Sequence, residues 1–242
     1  MVHTLPDYTT KYKMTTVFGS IDVYEAAARL KSPVIWDRRG NVRFLEDFSG
    51  AVISWYTQAT GTGGEVTLDA AHYLSAGQSV KLKTGTGENN IANIQRGFPY
   101  PIEEKVGFEM SFTIHGGSKQ TMIYVSTNSG TTVRRFGINY NKLDEKLEYF
   151  ASNATWKTLD TDVKTYEQEW LFHRMKIVVD LQTNKYIRGI FDNKLYNMEA
   201  YSIYTGSSSS SPHMLVQIQN RNGSSLASTI YVDNFIYTVN EP

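Results

Sequence analysis

Between residues 174 and 181 the chain alternates, with Met175, Ile177, Val179 and Leu181 on one face and Arg174, Lys176, Val178 and Asp180 on the other. A period of two marks a strand with one face turned to a core. Asp180, Leu181, Gln182, Thr183 and Asn184 then supply turn-forming residues, and Tyr186, Ile187, Arg188, Gly189, Ile190 and Phe191 resume an extended run. The pair predicts a hairpin, which alone would be marginal in water and needs a partner sheet. Phe108, Met110, Phe112 and Ile114 alternate in the same way with Glu109, Ser111, Thr113 and His115. In the last strand Ile230, Val232, Asn234 and Ile236 are expected to share one face, and Tyr231, Asp233, Phe235 and Tyr237 the other.

Further strand-like runs fall at 51–57, 64–68, 79–83, 90–96, 121–126, 134–140, 146–151, 198–204 and 214–219. Turns rich in Gly, Asn and Ser separate them, as at 61–64, 85–87, 128–130 and 222–223. Such punctuation predicts an all-β, antiparallel β-sandwich over residues 41–242, and the missing helical crossovers exclude a parallel α/β fold. Ser152, Asn153, Ala154 and Thr155 read as a loop that carries Trp156, and the serines of 207–211 read as a flexible loop.

The first forty residues follow a different pattern. Residues 1–17 have no periodic apolar face and read as an extended arm carrying Tyr8 and Tyr12, with Phe18 just beyond it. Asp22 and Glu25 fit a capping box for a short amphipathic helix over 23–30, which Ser32 and Pro33 stop. Residues 34–36 and 42–44 flank a glycine-containing turn and predict a small hairpin, with Arg38 and Arg39 at its tip. The expected organisation is therefore a docking segment, 1–40, followed by the sandwich, 41–242.

Composition narrows the function. Lys and Arg total 24 and so do Asp and Glu, so no basic footprint points to nucleic acid or an anionic membrane. No apolar run is long enough to span a bilayer. Cysteine is absent, which excludes disulfides and thiolate metal sites. The opening residues show no basic segment followed by an apolar core, so no signal peptide is expected in this chain.

Chemistry-bearing constellations are sparse. Glycoside cleavage on such a scaffold needs two carboxylates flanking the bond. The nearest pairs are Asp160 with Asp162, Glu167 with Glu169, and Glu145 with Glu148, all better explained as solvated strand ends and turns. There is no Gly-x-Ser-x-Gly elbow, and His3, His72, His115, His173 and His213 are scattered singly. No enzyme activity is expected. Sugar recognition would need exposed rings with hydrogen-bonding neighbours, for which Trp156, Tyr149, Trp55 and Tyr56 are the candidates.

Two stretches carry a family resemblance. Trp170 with His173, the strand Lys176-Ile177-Val178-Val179-Asp180, then Lys185-Tyr186 and a strand ending at Asp192 resemble the central hairpin of concanavalin-A-like and laminin-G-like jelly-roll domains. Leu45-Glu46-Asp47-Phe48, Trp55 and the run from Ser75 to Leu82 are similar to the opening of many bacterial carbohydrate-binding modules. This resemblance implies a concanavalin-A-like jelly roll and a structural calcium held by Glu46, Asp47 and Asp233. Asn234 stands where such modules carry a second aspartate. The helix, the stretch Val34-Ile35-Trp36-Asp37-Arg38-Arg39-Gly40-Asn41-Val42 and the acidic-Phe strand start also resemble uncharacterised proteins encoded in bacteriophage genomes.

The expected function is thus a non-catalytic structural subunit of a virion, a capsid decoration or tail protein, located on a virion or an extracellular surface. Tyr8, Tyr12, Phe18, Arg38 and Arg39 would dock onto further copies of the chain or other structural subunits. The alternatives are a carbohydrate-binding module or lectin with glycans as partners, and a glycoside hydrolase of the same fold.

Overall fold

The computed structural model describes residues 39–75 and 77–242. Residues 40–242 form one compact unit, an antiparallel sandwich of two eight-stranded sheets. Tyr8, Tyr12, Phe18 and Arg38, the expected arm and helix, and the 34–36 arm of the expected hairpin lie outside the described residues. In chain order the strands are β1 (Asn41–Glu46), β2 (Tyr56–Ala59), β3 (Glu65–Asp69), β4 (Ser79–Lys83), β5 (Ile91–Phe98), β6 (Lys105–Ile114), β7 (Ser118–Asn128) and β8 (Thr132–Asn141). They continue as β9 (Lys146–Phe150), β10 (Trp156–Asp160), β11 (Gln168–Asp180), β12 (Lys185–Phe191), β13 (Lys194–Asn197), β14 (Tyr204–Ser207), β15 (His213–Asn222) and β16 (Thr229–Val239).

The first sheet runs β13-β12-β11-β6-β16-β4-β3, with β1 paired to the end of β16. The second runs β10-β9-β8-β7-β15-β5-β2, with β14 paired to β8. Its central strands come from distant parts of the chain, so its faces depend on register between residues far apart in sequence. The alternation read from the sequence is the one that folds. Met175, Ile177, Val179 and Leu181 of the β11 hairpin meet Phe108, Met110, Phe112 and Ile114 of β6 in the core, against Ile123, Val125, Phe136, Ile138, Val216 and Ile218 of the second sheet. The hairpin turn is held by Asp180, whose carboxylate accepts the N–H groups of Gln182 and Thr183, and by Asn184 at φ 59°. Asn tolerates that left-handed conformation better than most residues.

Four expectations are corrected; of the run 51–57 only Tyr56 and Thr57 are in a strand, the start of β2. The last strand does not keep one parity: its register against β6 shifts between Asp233 and Ile236, and Asn234 has φ 52°. Ile230 and Val232 are buried in the core before the kink, and Phe235, Tyr237 and Val239 after it, since one extra residue moves every later side chain to the opposite face. Of residues 198–204 only Tyr204, which opens β14, is in a strand; Met198 and Ile203 donate to the Ile187 and Asn184 carbonyls and Tyr201 to that of Met198. The segment expected as a loop around Trp156 instead closes in a tight turn, Ala151 N–H to Thr155 carbonyl at 2.8 Å, and Trp156 opens strand β10.

The outward face of the first sheet carries a buried charged cluster. Glu241 is ion-paired to Lys176 Nζ at 2.8 Å and accepts from Thr238 Oγ1 and Arg188, while the Pro242 carbonyl accepts from Arg188 at 2.8 Å. Glu109 lies 3.7 Å from Lys176 and 3.6 Å from Arg174. Gly107 makes room for this cluster, because a Cβ there would lie 2.5 Å from both Glu241 Oε1 and Thr238 Oγ1.

Candidate functional site

On the second sheet, core and outward positions separate cleanly. Ala92 and Ile94 of β5, Ile123 and Val125 of β7, Phe136 and Ile138 of β8, and Val216 and Ile218 of β15 point into the core. Their alternates must face away from the first sheet. Register then sets these outward residues side by side. Tyr56 pairs with Gln95, Gln95 with Gln217, Gln217 with Tyr124, and Tyr124 with Gly137. One step along the strands, Gln58, Asn93, Gln219, Met122, Asn139 and Glu148 form a parallel row. One step the other way, Gly97, Leu215, Ser126, Arg135 and Tyr204 form a third.

The middle row is uncharged and reachable. Tyr56 is 66% exposed, and Gln95, Gln217, Tyr124 and Trp156 are half-buried. Tyr124, Phe150 and Trp156 make a three-ring cluster at one end, with centroids 5.1 Å (Tyr124–Phe150), 5.3 Å (Phe150–Trp156) and 6.4 Å (Tyr124–Trp156) apart. Trp156 starts on β10 but leans across the sheet, so that its ring edge would lie 3.2 Å from a Cβ at Gly137. The same Cβ would meet the Ile123 carbonyl at 2.5 Å, so only glycine lets the ring lie over β8.

Neighbouring amides fix one another's orientation. Gln95 Nε2 donates to Asn93 Oδ1 at 3.1 Å, Asn93 Nδ2 to Gln58 Oε1 at 3.0 Å, and Gln217 Nε2 to Gln219 Oε1 at 3.3 Å. Asn139 Nδ2 donates to Glu148 Oε2 at 2.7 Å. Burial pushes the Tyr124 phenol up, with the Arg135 guanidinium pulling the other way; Arg135 also lies 5.3 Å from the Tyr204 ring centroid. From beneath, Tyr186 of the first sheet donates to the Phe150 carbonyl at 2.6 Å and accepts from the Gly137 N–H at 3.2 Å. This is a direct prop between the sheets under the ring cluster.

Of the four aromatic candidates from the sequence, Trp156 and Tyr56 lie on this face, at opposite ends of the row. Tyr149 and Trp55 do not line it. Tyr149 is 9% exposed, packed on Tyr186 and Tyr201 inside the sandwich. Trp55 is 4% exposed, edge-on to Phe235, and its indole donates to Glu46 at 3.2 Å. Gln95, Gln217 and Tyr124 were not singled out from the sequence. The signal for two of them was present, as Asn93 and Gln95 alternate with Ala92 and Ile94, and Gln217 and Gln219 with Val216 and Ile218.

The expected calcium ligands do not form a ready cage. Both Asp233 oxygens accept backbone N–H groups, Oδ2 those of Leu74 and Ser75 at 2.9 Å and Oδ1 that of Asn234 at 2.7 Å. Burial raises the Asp233 carboxyl, the three N–H groups oppose this, and nearby Asp47 adds to the rise. Glu46 is taken up by Ser54, Trp55 and Arg96, and Asp47 by the Ser49 N–H. Among the described residues no group of three or more His, Asp or Glu could hold a metal. Arg39, from the expected docking set, is exposed.

The carboxylate pairs weighed for cleavage are dispersed. Asp160 accepts from Lys194 and Tyr196, Asp162 is paired to Lys164, Glu167 to Lys142, and Glu169 lies near His72 and His115. Glu145 is exposed in the β8–β9 turn, and of these residues Glu148 alone stands in the outward rows of the second sheet.

No protein-family model and no curated protein matches the chain. Solved structures do match its fold. A sialidase aligns with a TM-score of 0.56 at 8% identity over 84% of this chain, which spans 19% of the sialidase's length. An endo-β-1,4-glucuronan lyase from the fungus Trichoderma reesei aligns with a TM-score of 0.52 at 11% identity, covering 83% of this chain and 96% of the lyase. At such identities the likeness is one of fold, and the fold is the concanavalin-A-like jelly-roll sandwich that the sequence resemblance implied.

Proposed function

We propose that this sandwich recognises carbohydrate without chemically changing it, through the outward face of the second sheet. The observation that carries the reading is the uncharged row Tyr56, Gln95, Gln217, Tyr124, closed by Trp156. Sugars offer hydroxyls that both donate and accept, and C–H faces that stack on rings. Primary amides match the first property, since each carries two donors and an acceptor oxygen, and Tyr and Trp match the second while keeping a polar tip. A non-catalytic role is supported by Glu148, whose Oε2 is already bound by Asn139 and which, among the described residues, faces no second carboxylate across the row. Hydrolysis through paired carboxyls has no partner for it.

The role as a virion subunit rests on the order of the first forty residues and is a proposal about where the face is displayed. In either setting the face makes the contact. Affinity electrophoresis against a panel of soluble polysaccharides, with parallel assays for new reducing ends and unsaturated products, tests the reading. Retardation by at least one polysaccharide without product is expected, together with loss of retardation in Gln217→Ala. Release of product, or no retardation by any polymer, overturns it.

A further inference from the structure

The row has a length, an axis and a charge state, and these narrow the ligand. It runs across the strands rather than along them, because each of its residues sits on a different strand in register. Three inter-strand steps of ~4.8 Å separate Tyr56 on β2 from Tyr124 on β7, and the Trp156 ring centre lies a further 6.4 Å beyond Tyr124. A ring therefore stands at each end of a track of roughly 20 Å, about the length of four pyranose units. Between the rings lie Gln95 and Gln217, one per strand, and the strand spacing is close to the advance of a linear sugar chain per unit.

Charges keep off the track. Arg135 stands one row to one side and Glu148 one row to the other. Arg135 is engaged with the Tyr204 ring and Glu148 with Asn139. None of the described residues along the track would neutralise a carboxylate or sulfate on every sugar unit.

Resting on the carbohydrate-binding reading above, we infer that the site takes a neutral, linear oligosaccharide of about four units, laid across the strands. Its terminal units stack on Tyr56 and Trp156, and its inner hydroxyls bond to Gln95 and Gln217. A track with anchors at both ends makes affinity grow with ligand length until both are engaged, and adds little afterwards.

Isothermal titration with cello-, xylo- and manno-oligosaccharides from disaccharide to octasaccharide, and with oligogalacturonates of the same lengths, tests the inference. In at least one neutral series affinity should rise at each added unit up to about the tetrasaccharide and then level off, with the acidic series weaker throughout. Tyr56→Ala and Trp156→Ala should each weaken the tetrasaccharide about tenfold or more. Gln95→Ala, between the anchors, should weaken it while leaving the length at which affinity levels unchanged. Circular dichroism and thermal melting of each variant confirm that the sheet is intact, and Tyr56, being largely exposed, keeps the test valid if Trp156→Ala unfolds. Affinity that is flat beyond the disaccharide, tighter binding of the acidic series, or indifference to Tyr56→Ala overturns the inference while leaving carbohydrate binding standing. Silence across all series and all polysaccharides removes the binding reading itself.

Discussion

Replacing Glu241 by alanine tests the energetic account of the first sheet. The Glu241 side chain is fully buried and so is that of Lys176, 2.8 Å away; Arg188 and Thr238 donate to the same carboxylate. Deleting this acceptor removes one buried partner from each of two cationic groups, while Glu109 stays 3.7 Å from Lys176 and the Pro242 carbonyl 2.8 Å from Arg188. Breaking a buried ion pair from one side costs about 3–5 kcal/mol. For a unit of this size each kcal/mol lowers the melting temperature by about 2–4 °C, so a fall of roughly 6–20 °C is expected by differential scanning calorimetry. Urea titration should show the same loss with an unchanged slope. Gly107→Ala attacks the cluster from the other side, since its Cβ would lie 2.5 Å from Glu241 Oε1, and should cost a similar amount. If Glu241→Ala costs less than about 1 kcal/mol, the carboxylate is not the hub that the geometry describes.

Asp160 accepts from Lys194 at 2.7 Å and Tyr196 at 2.8 Å, and the Lys194 hydrogen bond holds its carboxyl below the usual range. The stabilisation is present above the ordinary aspartate value near pH 4 and is lost as the pH falls through the depressed folded value. Asp160→Asn should therefore lower the urea midpoint at about pH 7 and leave it nearly unchanged at about pH 2; an equal loss at both would refute the pairing. Tyr186→Phe strips the donor from the Phe150 carbonyl and should cost about 1–3 kcal/mol in thermal unfolding, whereas a neutral substitution would show that water replaces the phenol. Adding millimolar calcium to chelator-treated protein should not move the melting temperature, because amides already hold both Asp233 oxygens; a rise of several degrees would place a cation there.

Much of the fold could be read from local pattern. The bounds of β4 and β16 and the buried face of β11 follow from alternation and from turn-formers at their ends. The kink at Asn234 could not be read, because a bulge depends on which backbone groups the neighbouring strands present rather than on the strand's own periodicity. Trp156 was misplaced for a related reason. Ser, Asn, Ala and Thr before it do form a turn, but a four-residue turn with Ala154 at φ 61° leads straight back into β10 instead of leaving the sheet.

The candidate site was half legible. Amides alternating with aliphatic residues on β5 and β15 announce polar outward faces, yet nothing local says that Gln95 lies beside Gln217, or Gln217 beside Tyr124. Those adjacencies join residues more than ninety positions apart and arise only when the sheet closes in one register. Tyr149 and Trp55 illustrate the converse: ring type alone does not tell a core-filling side chain from one turned to solvent.

On β5, β7 and β15 each residue that packs the interior is followed by one that looks outward. On the proposed reading, contact chemistry and folding chemistry are thereby assigned to alternate positions of the same strands. On the same proposed reading, swapping the outward glutamines for other polar side chains would retune what the molecule grips at little cost to its melting temperature. A lineage of such proteins could change its target by edits at every second residue while its scaffold stayed still.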